Sequence, residues 1–388
     1  MSEHYRQIND QASFESLCEH LADCPVLALD TEFVRTRTLL PQLGLLQVFD
    51  GQNTYLIDPL PLSDLTAFAQ LLSSPNIVKV LHACSEDMEV FLSHFDVAPA
   101  PVFDTQFAAN LLGMGPSLGY GRLVELECEI TLDKGESRTD WLARPLTDKQ
   151  LHYAANDVTY LYRLYTQLEP RVKELKLLDV LYQEMELLAD KKAAKMPEKS
   201  AYLAIGNVWK LNPSQRFVMQ KLAAWRLKMA REKDIAINFI IKEPHLLAVA
   251  MHCPRDKRQL TAMKILLPQE IRRYADQLVG IVNQAMAQFE QNPEQCQLDK
   301  VKRLNDVPQY KKQLSELKKL VQQSAQDSNI AAEIIASKKQ LNQLLKWWWF
   351  EHEETSAQDL LPDLLTGWRR TLMLESVKRL LGPSIREI

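Results

Sequence analysis

The periodicity of the apolar residues changes once along this chain, near Thr147, and that change limits the fold more than any other feature. Before it, apolar runs are short and bounded by turn residues, as buried strands are. Val26-Leu27-Ala28-Leu29 ends in Asp30, and Leu43 to Phe49 is separated from Thr54 to Ile57 by Asp50-Gly51-Gln52-Asn53, which reads as a hairpin turn. Val78 to Leu81 and Val102-Phe103 supply further strands, while Met88, Phe91, Leu92 and Phe95 recur at helical spacing and Thr105 to Leu112 is helical. Three early strands joined by short turns, then strands alternating with helices, predict a mixed sheet in an α/β domain. From Thr147, an N-cap with Gln150 as its capping-box partner, Leu151, Ala154, Ala155, Val158, Leu161, Tyr162 and Tyr165 keep a helical period. Beyond a charged stretch carrying Pro197 the pattern stays helical to the end.

The helical part contains a repeat. Shifting by 95 residues aligns Leu222 with Leu317, Trp225 with Leu320, Ala230 with Ala325, Ile235 with Ile330, Ile240 with Ile335, Leu246 with Leu341 and Val249 with Leu344, with no gap over 28 positions. An ungapped register of that length predicts a duplicated helical module. At 388 residues two to four domains fit, and the expected division is an α/β domain over 1–190, a linker over 191–209, and helical domains over 210–289 and 295–380. The segment Gln288 to Leu298, with Asn292-Pro293, is the expected linker between the copies.

Composition excludes several classes. No 18-residue stretch is free of charged or strongly polar side chains, so no membrane-spanning helix is expected, and Met1 to Asp10 has no apolar signal-peptide core. Six cysteines without CxxC spacing predict reduced thiols in a cytoplasmic protein, and the chain is expected to be a monomer. The net charge of −4 conceals a division: residues 1–170 carry 10 Lys+Arg against 24 Asp+Glu, and residues 171–388 carry 36 against 26. An acidic half at −14 joined to a basic half at +10 suits a metal-dependent site attached to a module that handles a polyanion.

The candidate chemistry lies in carboxylates. Asp30 and Glu32 flank Thr31 at the expected end of a strand, and a side-chain period of two sends both from one face. Like charges so placed repel unless cations lie between them. Asp87 stands where a strand turns into a helix, and Asp157 interrupts an apolar helix face with Tyr153 four residues earlier on the same side. Four carboxylates match the charge of two divalent ions, and hard oxygen ligands favour Mg²⁺ or Mn²⁺ over zinc. Such a pair activates water and neutralises a leaving oxygen, which is the chemistry of phosphodiester hydrolysis.

Asp30-Thr31-Glu32, Asp87 within His82 to Asp87, and Tyr153-x3-Asp157 resemble the three exonuclease motifs of the DEDD superfamily. The string Ser137 to Leu146 leading into Tyr153 to Asp157, and the run Asp30 to Gly44, are similar to ribonuclease D in particular. The two helical repeats resemble HRDC domains, nucleic-acid-binding modules. This resemblance implies a ribonuclease-H-like exonuclease domain followed by two all-α HRDC-like domains, and 3′→5′ release of nucleoside 5′-monophosphates from RNA. It also implies a role in maturing tRNA precursors and other small stable RNAs. A DNA-directed exonuclease lacks support from the ribonuclease D string, and a non-catalytic RNA-binding protein would need a lost carboxylate. The superfamily divides into Tyr-x3-Asp and His-x4-Asp types, and this chain carries both His152 and Tyr153. A helix starting near Thr147 puts His152 about 140° from Asp157, so the Tyr type is assigned.

Smaller expectations follow. Gln47 and Phe33 are candidates to touch the terminal nucleotide or to pack in the core; His82 reads as a core histidine and Asp104 as a helix cap. Among Trp347, Trp348 and Trp349, one or two are expected inside the core. Residues 210–289 carry 14 Lys+Arg against 6 Asp+Glu, and residues 295–388 carry 15 against 12, so the first helical copy is the expected RNA-gripping one. Its candidate phosphate stripe is Lys221, Arg226, Lys228, Arg231 and Lys233.

Overall fold

The computed structural model describes residues 5–132, 135, 136 and 138–386; Ser137, in one of the motif strings, lies outside them. Six strands, β1 (Tyr5–Ile8), β2 (Val26–Val34), β3 (Gln42–Phe49), β4 (Thr54–Ile57), β5 (Val78–Leu81) and β6 (Val102–Asp104), form one sheet in the order β1-β4-β3-β2-β5-β6. β3 is antiparallel to both its neighbours and every other pairing is parallel, so the sheet is mixed as expected. The helices of this domain are α1 (Gln11–Leu21), α2 (Thr66–Ser73), α3 (Ser85–Phe95), α4 (Thr105–Leu111), α5 (Tyr120–Cys128), α6 (Asp148–Glu174) and α7 (Leu178–Ala193). β1 and α1 were not legible as elements: β1 is a short edge strand whose middle residues Arg6 and Gln7 are exposed.

Two local features position the site. β2 does not end at Asp30 but continues to Val34, because β3 keeps pairing with it past an irregularity between Glu32 and Phe33. There Glu32 faces Leu45 and Phe33 faces Leu43, leaving Gly44 as the extra residue of a bulge. A Cβ on Gly44 would meet the Trp141 carbonyl oxygen at 2.5 Å, so only glycine lets the segment carrying Trp141 lie against the sheet. Arg144 clamps this approach, donating to the Gly44 carbonyl at 2.6 Å and to both Asp58 oxygens at 2.6 and 2.8 Å. The second feature is the start of α6. Thr147 caps it and Gln150 closes the capping box, which fixes the helical phase of everything that follows.

The duplicated module is present. The first unit comprises α8 (Pro213–Lys233), α9 (Ile237–Ile240), α10 (Glu243–His252), α11 (Lys257–Ala262) and α12 (Pro268–Gln291). After α13 (Pro293–Cys296), the second comprises α14 (Tyr310–Ser328), α15 (Ala332–Ile335), α16 (Lys338–Trp349), α17 (Glu354–Ala357) and α18 (Gly367–Leu381). α9 and α15 start 95 residues apart, as do α10 and α16, and the left-handed caps Asp234 and Asn329 match at the same shift. Leu222, Leu246 and Val249 are buried, and so are their counterparts Leu317, Leu341 and Leu344.

The expected linkers differ. Residues 191–209 open inside α7 and then form 3₁₀ turns whose Tyr202, Ile205 and Val208 are buried in the core of the first unit. The 288–298 segment is largely helical, held by the end of α12 and by α13. The second unit is not separate from the sheet domain. Leu304, Leu317, Trp347, Trp348, Trp368 and Val377 belong to the same continuous core as the sheet. Across that junction Arg369, 2% exposed, donates to Ile334 and Ile335 carbonyls and pairs with Glu184 of α7. Trp347 and Trp348 are buried and Trp349 is half-buried, so the tryptophan run serves packing.

Candidate active site

β2 sends Asp30 and Glu32 from one face toward α6, which supplies Asp157. Oxygens of Asp30, Glu32 and Asp157 lie within 4.8 Å of one another. Asp87 stands beside them in the first turn of α3 and accepts a hydrogen bond from Thr31 Oγ1 at 2.5 Å. Thr31 points to the opposite face from its neighbours, and so it ties the strand to Asp87 across the sheet. This tie escaped the sequence reading, because nothing in the chain shows which residue of α3 the strand meets.

The electrostatics are those of an uncompensated cluster. Burial, then repulsion from Asp87, Asp157 and Glu32, holds Asp30 well above the usual carboxylate range. Burial and the charges of Asp157 and Asp87 push Glu32 up, and burial raises Asp157 and Asp87. Among the described residues no Lys, Arg or His forms an ion pair with any of the four. Acidic oxygens this close, partly buried and without a cationic side chain are a donor set for hard divalent cations.

Tyr153, four residues before Asp157 on α6, projects to the same side. Burial and the charges of Asp157, Glu32 and Asp30 raise the phenol above its ordinary value, so it stays protonated at neutral pH. Its ring packs against buried Trp141 at a centroid distance of 6.2 Å. His152 is exposed; its Nδ1 lies 2.7 Å from the Asp148 carbonyl and its ring meets Tyr5 edge-on. With Leu132, Lys149, Tyr153, Asn156 and Asp157 it lines a cavity of about 390 Å³ beside the acidic cluster.

His82 is half-buried and its Nδ1 lies 2.9 Å from Thr105 Oγ1. Asp104 caps α4 by accepting from Phe107 N at 2.9 Å, and it also accepts from Cys84 N. Gln47 lies opposite Asp30 in the β2–β3 register and Phe33 is partly buried against the core.

The expected phosphate stripe needs correction. Arg226 is buried and donates to the Ile241 carbonyl at 3.2 Å, so it fastens α8 to the start of α10 instead of facing solvent. Lys221, Lys228, Arg231 and Lys233 are exposed; Lys228 lies 3.7 Å from Glu232, and Arg231 donates to the Met196 carbonyl.

Residues 5–173 match a family model described as 3′-5′ exonuclease, residues 215–282 one described as HRDC domain, and residues 308–377 one described as Ribonuclease D, C-terminal HRDC domain. The ribonuclease D of Cronobacter turicensis is 42% identical over 96% of this chain and 99% of its own, and that of Escherichia coli K12 is 41% identical over 97% and 98%. The chain belongs to the ribonuclease D family. The crystal structure of Escherichia coli RNase D, titled as an exoribonuclease involved in structured RNA processing, superposes with a TM-score of 0.91 at 40% identity, covering 97% of this chain and 98% of that one. Ribonuclease D membership makes this chain a 3′→5′ exoribonuclease, with an exonuclease domain of mixed sheet and helices followed by HRDC domains. As in any ribonuclease D, divalent metal is the expected requirement of the acidic centre. Among the described residues no helix is long and apolar enough to cross a membrane.

Proposed function

We propose that the enzyme hydrolyses RNA 3′ ends by a two-metal mechanism with Mg²⁺ or Mn²⁺, acting in 3′ maturation of tRNA precursors and other small stable RNAs. The observation that carries the metal reading is the triad of Asp30, Glu32 and Asp157 oxygens within 4.8 Å, with Asp87 alongside. Bound divalent cations supply an activated water and neutralise charge on the phosphodiester. Asp30, Glu32, Asp87 and Asp157 would hold them. A phenol that stays protonated is a poor base, so Tyr153 acts by orienting the attacking water. RNA reaches this acidic half with the help of the basic first HRDC unit, through Lys221, Lys228, Arg231 and Lys233.

The test is a direct assay of the full chain on 3′-extended tRNA and a matched DNA, with Mg²⁺, Mn²⁺ or chelator. Stepwise release of 5′-monophosphates from RNA in either metal, silenced by chelator, is the expected result. Full turnover in excess chelator would sink the metal mechanism, and equal turnover on DNA would sink the RNA assignment.

A further inference from the structure

Gln47 is wholly buried, and neither its amide nitrogen nor its carbonyl oxygen has a hydrogen-bond partner. Each buried, unsatisfied donor or acceptor costs the desolvation of that group with nothing to offset it. An apolar side chain of the same volume would avoid that cost, and the residues two away on this strand face are the apolar Leu45 and Phe49. A glutamine here is therefore explained by a hydrogen bond that this arrangement of its neighbours does not yet make.

Its place in the sheet says which group that is. Gln47 is register-paired with Asp30 on one side and with Leu56 on the other. Directly opposed residues share a face, with Cβ atoms about 4.5–5.5 Å apart. On the α6 side, Thr159 is already engaged with Ala155 and Thr54. The polar side chain beside the carboxamide is thus that of Asp30.

We propose that Gln47 is a positioning residue for Asp30: with divalent cations in the cluster, its Nε2 donates to one Asp30 oxygen and leaves the other to face the cation. A neutral donor suits this place, since a lysine or arginine would cancel the negative charge that attracts the ions. Thr31 serves Asp87 in the same manner from the other face of the sheet. The inference rests on the metal-holding reading proposed above.

The experiment measures Mn²⁺ binding by calorimetry, without RNA, for the wild type, Gln47→Met and Gln47→Leu, alongside thermal unfolding in chelator. Removing an unpaired polar group should leave the metal-free melting temperature unchanged or higher. Mn²⁺ affinity should fall about 10–100-fold, the usual effect of losing a hydrogen bond to a metal ligand. Mn²⁺ affinity within twofold of wild type in either folded variant would overturn the inference while leaving the metal reading intact. A large fall in the metal-free melting temperature of both variants would also overturn it, by showing that Gln47 serves the apo fold. A wild type that takes up no Mn²⁺ would overturn the metal reading and this inference with it.

Discussion

At the scale of single residues, the acidic centre makes three predictions. Asp30→Asn removes a ligand charge and should nearly abolish hydrolysis while leaving the fold and RNA binding intact, as checked by single-turnover assays and filter binding. Tyr153→Phe keeps the ring on Trp141 but loses the hydroxyl, and should lower kcat about 10²-fold with little change in KM. His152→Ala, whose ring meets Tyr5 edge-on, should be far milder. The third concerns pH. Unfolded carboxylates titrate near about 4, whereas these four are raised in the folded chain, so the folded state binds more protons between the two values. This contribution to stability is present at low pH and is lost as pH rises through the folded values. In chelator the melting temperature should therefore fall from mildly acidic to mildly alkaline pH, and Mg²⁺ should flatten that slope; a slope unaffected by Mg²⁺ would show that the ions bind elsewhere. All five candidate residues of the centre were legible, because a DxE pair, a turn acid and a Tyr-x3-Asp spacing each leave a mark in one dimension. Gln47 opposite Asp30, and Thr31 on Asp87, were not, because both depend on strand register and on helix placement.

At the scale of elements, the bulge at Gly44 joins stability to the site. Gly44→Ala places a methyl 2.5 Å from the Trp141 carbonyl oxygen and must push that segment away. Overpacking of this kind costs about 1–3 kcal/mol, and because Trp141 supports Tyr153 the same change should lower kcat. Calorimetric unfolding together with steady-state rates checks both parts; a destabilised enzyme of normal kcat would separate them. α6 was legible down to its capping box, since Thr147 and Gln150 lie close in sequence. α8 was legible as a helix but its faces were not. A charged residue is assigned outward by default, and Arg226 instead turns inward to satisfy a carbonyl. The candidate phosphate-facing residues thereby reduce to the exposed Lys221, Lys228, Arg231 and Lys233. Lys221→Ala with Lys228→Ala should weaken binding of tRNA-sized RNA and lower the salt slope by about 2, leaving turnover of short single strands unchanged.

At the scale of the whole molecule, the helical units are fastened to the exonuclease domain in different ways. The first unit meets the strap that leaves β2: Leu40 N donates to Asp234 Oδ1 at 2.9 Å, Ala236 N donates to the Arg37 carbonyl at 2.8 Å, and Leu39 packs into that unit's core. The second is joined through the common core and the Glu184–Arg369 pair. Glu184→Ala strands a buried guanidinium and should cost about 3–5 kcal/mol, seen as earlier unfolding and easier proteolysis near α18. The 95-residue repeat foretold two modules but not this asymmetry, because burial of α7 against α18 joins segments that are remote in sequence. That shared core has a consequence for the chain as it leaves the ribosome. Leu181 of α7 and Val377 of α18 lie in one core with Phe14 of α1, so the nuclease fold is left open on one side until the last helix emerges. At about 5–20 residues per second, the nascent enzyme waits on the order of ten seconds or more after α7 is made. Throughout that interval an apolar face of α7 stays uncovered, within reach of chaperones and proteases.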